Sequence, residues 1–287
     1  MVQIRLLAGV FRIVLRGQAP ELLPYYESVG GTAGPETAWP VIRAVMAAHT
    51  DELKDALTVA PQTNEVGRSA ALLVGLFEAV RRSGRSRVRL LEPGASAGLN
   101  LLVDRFLFET SGWSYGPQDS SLVLRDGIRG VVSPQPFSVV SRRGCDLEPV
   151  DASTPEGQLR LTSFVWPFDV HRHLRLRAAL AVAAAHPVKV DRAGAGEWVE
   201  RLLDQTPPEP EVITVLWHSV TRMYWPGLET ARVEAAVESA RSRMAIAHVA
   251  MEYPKDRPGG ADEAELTLDG EVLGYVAHHG GKVEVLS

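Results

Sequence analysis

Residues 87–100, RVRLLEPGASAGLN, decide how the rest of the chain is read. Residues 88–91 are a short Val/Leu-rich run that reads as a buried strand ending at Glu92. Gly94 and Gly98 then flank a turn where a backbone without side chains can approach a ligand closely. LNLLVDRFLF continues as a helix, and its first N–H groups are free to meet that ligand. Glu92 can accept hydrogen bonds from an amine or a ribose hydroxyl.

Upstream of this strand, residues 1–86 carry helical patterns and no strand. Ile4, Leu7, Ala8, Phe11, Val14 and Leu15 recur at helical spacing, while Arg5, Arg12 and Arg16 fall elsewhere. That pattern describes an amphipathic helix packed on a core, not a leader or a membrane span. SVGGTAGPETAWP (28–40) is a loop, and a helix follows with Thr63 or Asn64 as its cap, Glu65 in its first turn, and Arg81, Arg82 and Gly84 at its end.

Downstream, SLVLRDGIRGVVS reads as two short strands about the Asp126-Gly127 turn. Residues 136–143 read as a short helix stopped by Gly144, and CDLEPVD as a strand ending at Asp151. Residues 152–211 are largely helical, with RHLRLRAALAVAAAH and GAGEWVERLLDQ as the main helices. EVITVLWHSV is a buried strand, residues 229–241 a helix, MAIAHVAME another strand, and AELTLDGEVLGYVAHHGGKVEVL an antiparallel meander. The expectation is an α/β fold with a Rossmann-like, mostly parallel sheet and an antiparallel C-terminal meander. A helical N-terminal layer (1–86) precedes the core (87–287), which carries a helical insert at about 152–211.

Composition narrows the function. The 287 residues are 45% hydrophobic, enough for a large core, and 30 basic against 35 acidic residues give a net charge of -5. Such a balance offers no global field for nucleic acid or anionic lipid. Cys145 is the lone cysteine, which excludes an intramolecular disulfide framework and points to a reducing, cytoplasmic setting.

The glycine turn admits several readings. It lacks the middle glycine of a dinucleotide-binding G-x-G-x-x-G. GASAG does satisfy G-x-S-x-G, the nucleophile elbow of α/β-hydrolases, with Ser96 as nucleophile and His278 or His279 as a late base. Against that stands topology, because a hydrolase elbow follows several earlier strands and this turn follows the first. Tight strand-to-helix packing alone would also use two glycines.

With PQTNEVGRSAALL, LLEPGASAGLNLL, GCDLEPVDAS, FVWP and LWHSV in hand, the chain resembles a bacterial family catalogued only as a domain of unknown function. Its core resembles that of S-adenosylmethionine-dependent methyltransferases. The resemblance implies further helical sequence before Met1. It places Glu92, Gly94, Ala95, Ser96 and Gly98 against the methionine and ribose of the cofactor and makes Asp151 the acid that meets the adenine amino group. The ribose-binding acid has only Asp119 and Asp126 as candidates.

On this reading Asn64, Glu65 and Arg68 face the methionine carboxylate and amine, Arg68 best suited by its fork. Trp217 joins the cofactor site, and His218, at the carboxyl end of the same strand, is the candidate base, with Tyr224 just beyond. Arg160, His171, Arg172, His173, Arg175 and Arg177 form a basic stretch read as a solvated helix face, or as a lid favouring an acidic substrate. No spacing matches a metal site. The expected function is binding S-adenosylmethionine and methylating a small molecule. The alternatives are a Ser96 hydrolase and a non-catalytic nucleotide-sensing or partner-binding module.

Overall fold

The structure, a computed structural model, describes residues 2–254 and 263–286. Its α-helices, in chain order, are α1 (Val2–Leu15), α2 (Ala38–Ala48), α3 (Thr50–Ala56), α4 (Ser69–Ser83), α5 (Pro155–Ser163), α6 (Val170–Ala185), α7 (Ala195–Gln205) and α8 (Gly227–Arg241). None of the helices among the described residues is long and apolar enough to cross a membrane. The chain divides into two compact units, one of Met1–Asn64 with Val150–Leu180, the other of Glu65–Pro149 with Ala181–Ser287.

The first unit is helical. The apolar stripe of α1 packs Val10, Phe11, Ile13 and Val14 with Leu22, Tyr26, Val45 and Leu53, and Phe11 stacks on Tyr26 at 5.1 Å between centroids. Thr154 starts α5 by accepting the Gly157 N–H at 3.0 Å, with Pro155 as the first helical residue. The basic stretch is a solvated face only in part: His171 and Arg177 are exposed, and Arg160 and Arg175 are half-buried. Arg172 and His173 are buried, with the His173 ring edge-on to Phe11 and its Nε2 3.2 Å from the Trp166 carbonyl. Arg172 lies 4.0 Å from the Asp169 carboxylate, which also accepts its backbone N–H at 3.1 Å.

The second unit is an α/β layer built on one large, mostly parallel sheet. Its first strand is β1 (Arg87–Pro93), followed by the short β2 (Leu107–Glu109), β3 (Ser114–Tyr115), β4 (Val123–Arg125) and β5 (Ile128–Arg129). Then come β6 (Ser138–Asp146), β7 (Val190–Arg192), β8 (Val212–Ser219), β9 (Ile246–Glu252), β10 (Glu263–Leu268), β11 (Glu271–Ala277) and β12 (Val283–Val285). The sheet order is β5-β12-β11-β10-β9-β8-β1-β6-β7, while β3-β2-β4 form a separate small sheet. From β1 the parallel strands run outward through β6 to β7, and the chain then crosses to the other side of β1 with β8 and β9. The winding therefore reverses between β1 and β8, where an open parallel sheet forms a crevice at its carboxyl edge.

Several elements differ from expectation. The segment read as a helix at 136–143 is the strand β6, which continues through Gly144 to Asp146, so the strand does not end at Asp151. Its arginines misled the pattern: Arg142 and Arg143 sit in a sheet strand because Asp104 and Asp191 pair with them. β4 and β5 flank the Asp126-Gly127 turn but join different sheets, so they are not a hairpin. The run after the glycine turn is a 3-10 helix (Leu99–Arg105), kinked at Leu102, and then β2. The meander holds, with Asp269 and Gly270 at φ +53° and +86° turning β10 into β11.

Strand alternation assigns the two faces of the sheet. Val249 of β9 meets α4 at Gly75, and its register partner Trp217 shares that face. Leu91 and Leu216 lie on the opposite face with Trp198, Val199, Val233, Val237 and Ala240 of α7 and α8. Glu92, next after Leu91, therefore points to the α4 side with Trp217, and His218 points to the α8 side.

Candidate functional site

The glycine turn is held from below by β6. The Gly94 and Ala95 amides both donate to the Cys145 carbonyl, at 2.8 and 2.9 Å, and the Gly98 amide donates to the Ala95 carbonyl at 2.7 Å. The Ser96 N–H donates to Asp146 Oδ2 at 2.9 Å. These amides are thus spoken for within the protein rather than free, because β6 runs beside β1 and brings its carboxyl end under the loop. Gly94, Ser96 and Gly98 all have positive φ, +78°, +54° and +74°. Neither glycine opens onto empty space. A side chain at Gly94 would meet the Thr221 methyl at 2.6 Å, and one at Gly98 would meet Val190 and Val188 at 3.0 and 3.3 Å.

Glu92 lies at the winding reversal. It is only 2% exposed, and among the described residues its Oε2 has no hydrogen-bond partner. Burial pushes its pKa up to about 8, the Trp217 indole and Asn100 offset part of this, and the charges of Asp146 and Arg68 pull in opposite directions. Two further buried polar atoms nearby lack partners among the described residues, Ser96 Oγ in the turn and Trp217 Nε1 on the Glu92 side of β8. The indole influences the Glu92 carboxyl without reaching hydrogen-bond geometry. Asn100 is fixed by Ser69, whose hydroxyl donates to its Oδ1 at 2.7 Å.

The entry to α4 brings a cation to the same edge. Glu65 is buried and caps a 3-10 turn (Val66–Arg68) by accepting the Gly67 N–H at 3.0 Å. Arg68 Nη1 donates to the Ser219 carbonyl at the end of β8 at 3.1 Å. Asn64, at φ +34°, belongs to the helical unit, as does Asp151, which is exposed. The Asp151 carboxylate accepts the Ser153 amide and hydroxyl at 2.9 and 2.6 Å, an Asx-type turn leading into α5. Asp119 and Asp126 are exposed and end no strand of the large sheet.

On the α8 side, His218 belongs to a buried polar chain. Its Nδ1 lies 2.7 Å from Glu252 Oε1 and its Nε2 2.9 Å from His248 Nε2. Trp225 covers the ring at 5.0 Å. Burial works against ionisation of Glu252, but His218 and the Thr221 and Arg222 amides outweigh it and hold its pKa below the ordinary carboxylate value. Burial and the neighbouring charges of His218, Arg241 and Arg222 push His248 down to about 3, so it is neutral. With an ionised Glu252, Nδ1 of His218 is the donor of that pair. Both ring nitrogens are engaged inside the protein, and the ring is 2% exposed.

The structure thus brings together Arg68, Glu92, Gly94, Ala95, Ser96, Gly98 and Trp217, and sets His218 on the other face of the sheet. Asp146, Asn100, His248 and Glu252 escaped sequence reasoning. Asp146 lies inside CDLEPVD, whose reading as a strand ending at Asp151 makes Asp151 the strand-end acid. His248 and Glu252 were hidden by the unknown register of β8 against β9, although they lie four residues apart on one strand. Among the described residues no three His, Cys, Asp or Glu side chains are placed to hold a metal ion.

A family model, described as an uncharacterized protein conserved in bacteria (DUF2332), matches residues 1–284. The chain belongs to this family. No curated protein and no solved structure matches this DUF2332 chain.

Proposed function

We propose that this DUF2332 protein binds S-adenosylmethionine at the carboxyl edge of β1 and transfers its methyl group to a small molecule in the cytoplasm. The observation that carries the reading is Glu92: a buried carboxyl at the winding reversal, one oxygen without a hydrogen bond of good geometry among the described residues, near a Trp217 indole N–H that likewise makes none there. Buried polar atoms without partners are costly, so three of them at one edge of a sheet match a ligand that supplies the missing donors and acceptors. The parallel order β7-β6-β1-β8-β9 supports a Rossmann-like, methyltransferase-type core.

On this reading the residues fit the cofactor as follows. Glu92 and Trp217 receive the amino-acid part, and Arg68 supplies the positive charge for its carboxylate. Asp146, at the end of the strand beside β1, takes the ribose-binding role for which Asp119 and Asp126 were the only sequence candidates. Its Oδ2 already fixes the turn through the Ser96 amide. The bound cofactor supplies an electrophilic methyl group. His218 acts by positioning, since both its nitrogens are engaged, and the protein's main contribution is orientation of the two reactants.

Ser96 as a hydrolase nucleophile has a positive φ in its favour, yet its hydroxyl hydrogen-bonds to no base. Equilibrium dialysis with labelled S-adenosylmethionine tests the proposal. Retention by the wild type and at least ten-fold weaker retention by Asp146→Asn are expected. Absence of retention, together with fluorophosphonate labelling that disappears in Ser96→Ala, would replace it with the hydrolase.

A further inference from the structure

Between β8 and α8 the chain passes through Val220, Thr221 and Arg222. Val220 has φ +52°, a conformation that a β-branched side chain adopts only under constraint. Two groups on β9 supply that constraint. The Met251 carbonyl accepts the Val220 N–H at 2.9 Å, and Glu252 Oε1 accepts the amides of Thr221 and Arg222 at 3.0 and 3.2 Å. The same carboxylate oxygen meets His218, so the loop is tied to the buried polar chain. The consequence is felt at Gly94, where the Thr221 methyl lies 2.6 Å from the place a β-carbon would occupy and its hydroxyl oxygen 3.4 Å away.

We infer that Val220–Thr221–Arg222 is a strained latch, tied down by Glu252, whose Thr221 side chain fills the space over Gly94 that a ligand of the glycine turn would take. Strained backbone held by surrounding contacts recurs at switch regions and ligand clamps. Here the strain belongs to the closed loop, so lifting it releases Val220 while giving up the Glu252 hydrogen bonds. Entry of a ligand at Gly94 requires Thr221 to move, and the two opposing contributions keep that motion accessible. The ligand part of the inference rests on the cofactor reading above, whereas the latch itself does not.

The test has two arms, both on the full chain. In the first, hydrogen exchange of the Thr221 and Arg222 amides is followed without ligand. Glu252→Gln, which weakens the charge-assisted tether, is expected to speed their exchange about ten-fold while the Val249 and Met251 amides keep their rates. Val220→Asn, with a residue that tolerates left-handed backbone, is expected to slow it about five-fold. Unchanged exchange at Thr221 and Arg222 in both variants overturns the latch. In the second arm, S-adenosylhomocysteine is mixed rapidly with wild type, Val220→Asn and Thr221→Ser, which removes only the methyl over Gly94. Faster association with Thr221→Ser and slower with Val220→Asn supports the inference, and equal rates in all three overturn it. If none of the three binds S-adenosylhomocysteine, the cofactor reading fails and the exchange arm alone decides the latch.

Discussion

Ser96 carries two costs in the folded state: a left-handed backbone and a buried hydroxyl without a partner among the described residues. Ser96→Gly removes both, since glycine adopts positive φ freely, and should raise unfolding free energy by about 1 kcal/mol in urea titration. A loss of stability would mean that the hydroxyl has a partner that the geometry does not show. Glu92 makes a second residue-scale prediction. Its folded pKa of about 8 lies above the ordinary 4.5, so its protonated form favours the folded state fully at low pH, and that contribution disappears as pH climbs through about 8. His248 works in the opposite sense, because its folded value of about 3 lies below the ordinary 6.5 and stability is lost as pH falls between them. Glu92→Gln should therefore flatten the decline between about pH 4.5 and 8 and leave the His248 loss on acidification in place, as read by melting temperature against pH. The turn and Glu92 were legible in the sequence because acid, glycine spacing and a preceding apolar run are local signals. The partners of His218 were not, since Glu252 and His248 reach it only through the register of two strands that are distant in sequence.

The helix that leads into the first strand shows what local signals do settle at the scale of elements. Gly84 at φ +68° ends α4 as expected, and Glu65 precedes it as a capping acid. How closely α4 sits on the sheet was not written in its periodicity. A β-carbon at Gly75 would stand 2.4 Å from Val249 Cγ1, so helix and strand touch almost backbone to side chain. Gly75→Ala should cost about 1–3 kcal/mol through overpacking, and the double variant with Val249→Ala should lose less than the sum of the two, by denaturant unfolding of all four proteins. Strand β6 was misread for a physical reason. Pro136 and Gly144 mimic helix punctuation, and Arg142 and Arg143 look solvated until Asp104 and Asp191 are brought to them by distant parts of the chain. The strand's end was also placed five residues late, at Asp151, in place of Asp146, the residue that ties the glycine turn to its neighbouring strand.

At the scale of the whole molecule, alternating strands and helices were enough to expect an α/β protein with a mostly parallel sheet, and the winding about β1 bears that out. The division into units follows contacts that sequence order conceals. The N-terminal helices end at Asn64, α4 belongs with the sheet, and residues 150–180 join the helical unit instead of standing as an insert in the core. Membership of the DUF2332 family extends over both units, residues 1–284. Cofactor binding is proposed to depend on one carboxyl at the carboxyl edge of β1, so the most direct measurement is a calorimetric titration of S-adenosylmethionine and S-adenosylhomocysteine into wild type and Glu92→Gln at neutral pH. Binding to the wild type, weakened ten-fold or more in the variant, is the predicted result. No heat with either compound, or equal affinity in both proteins, would contradict it.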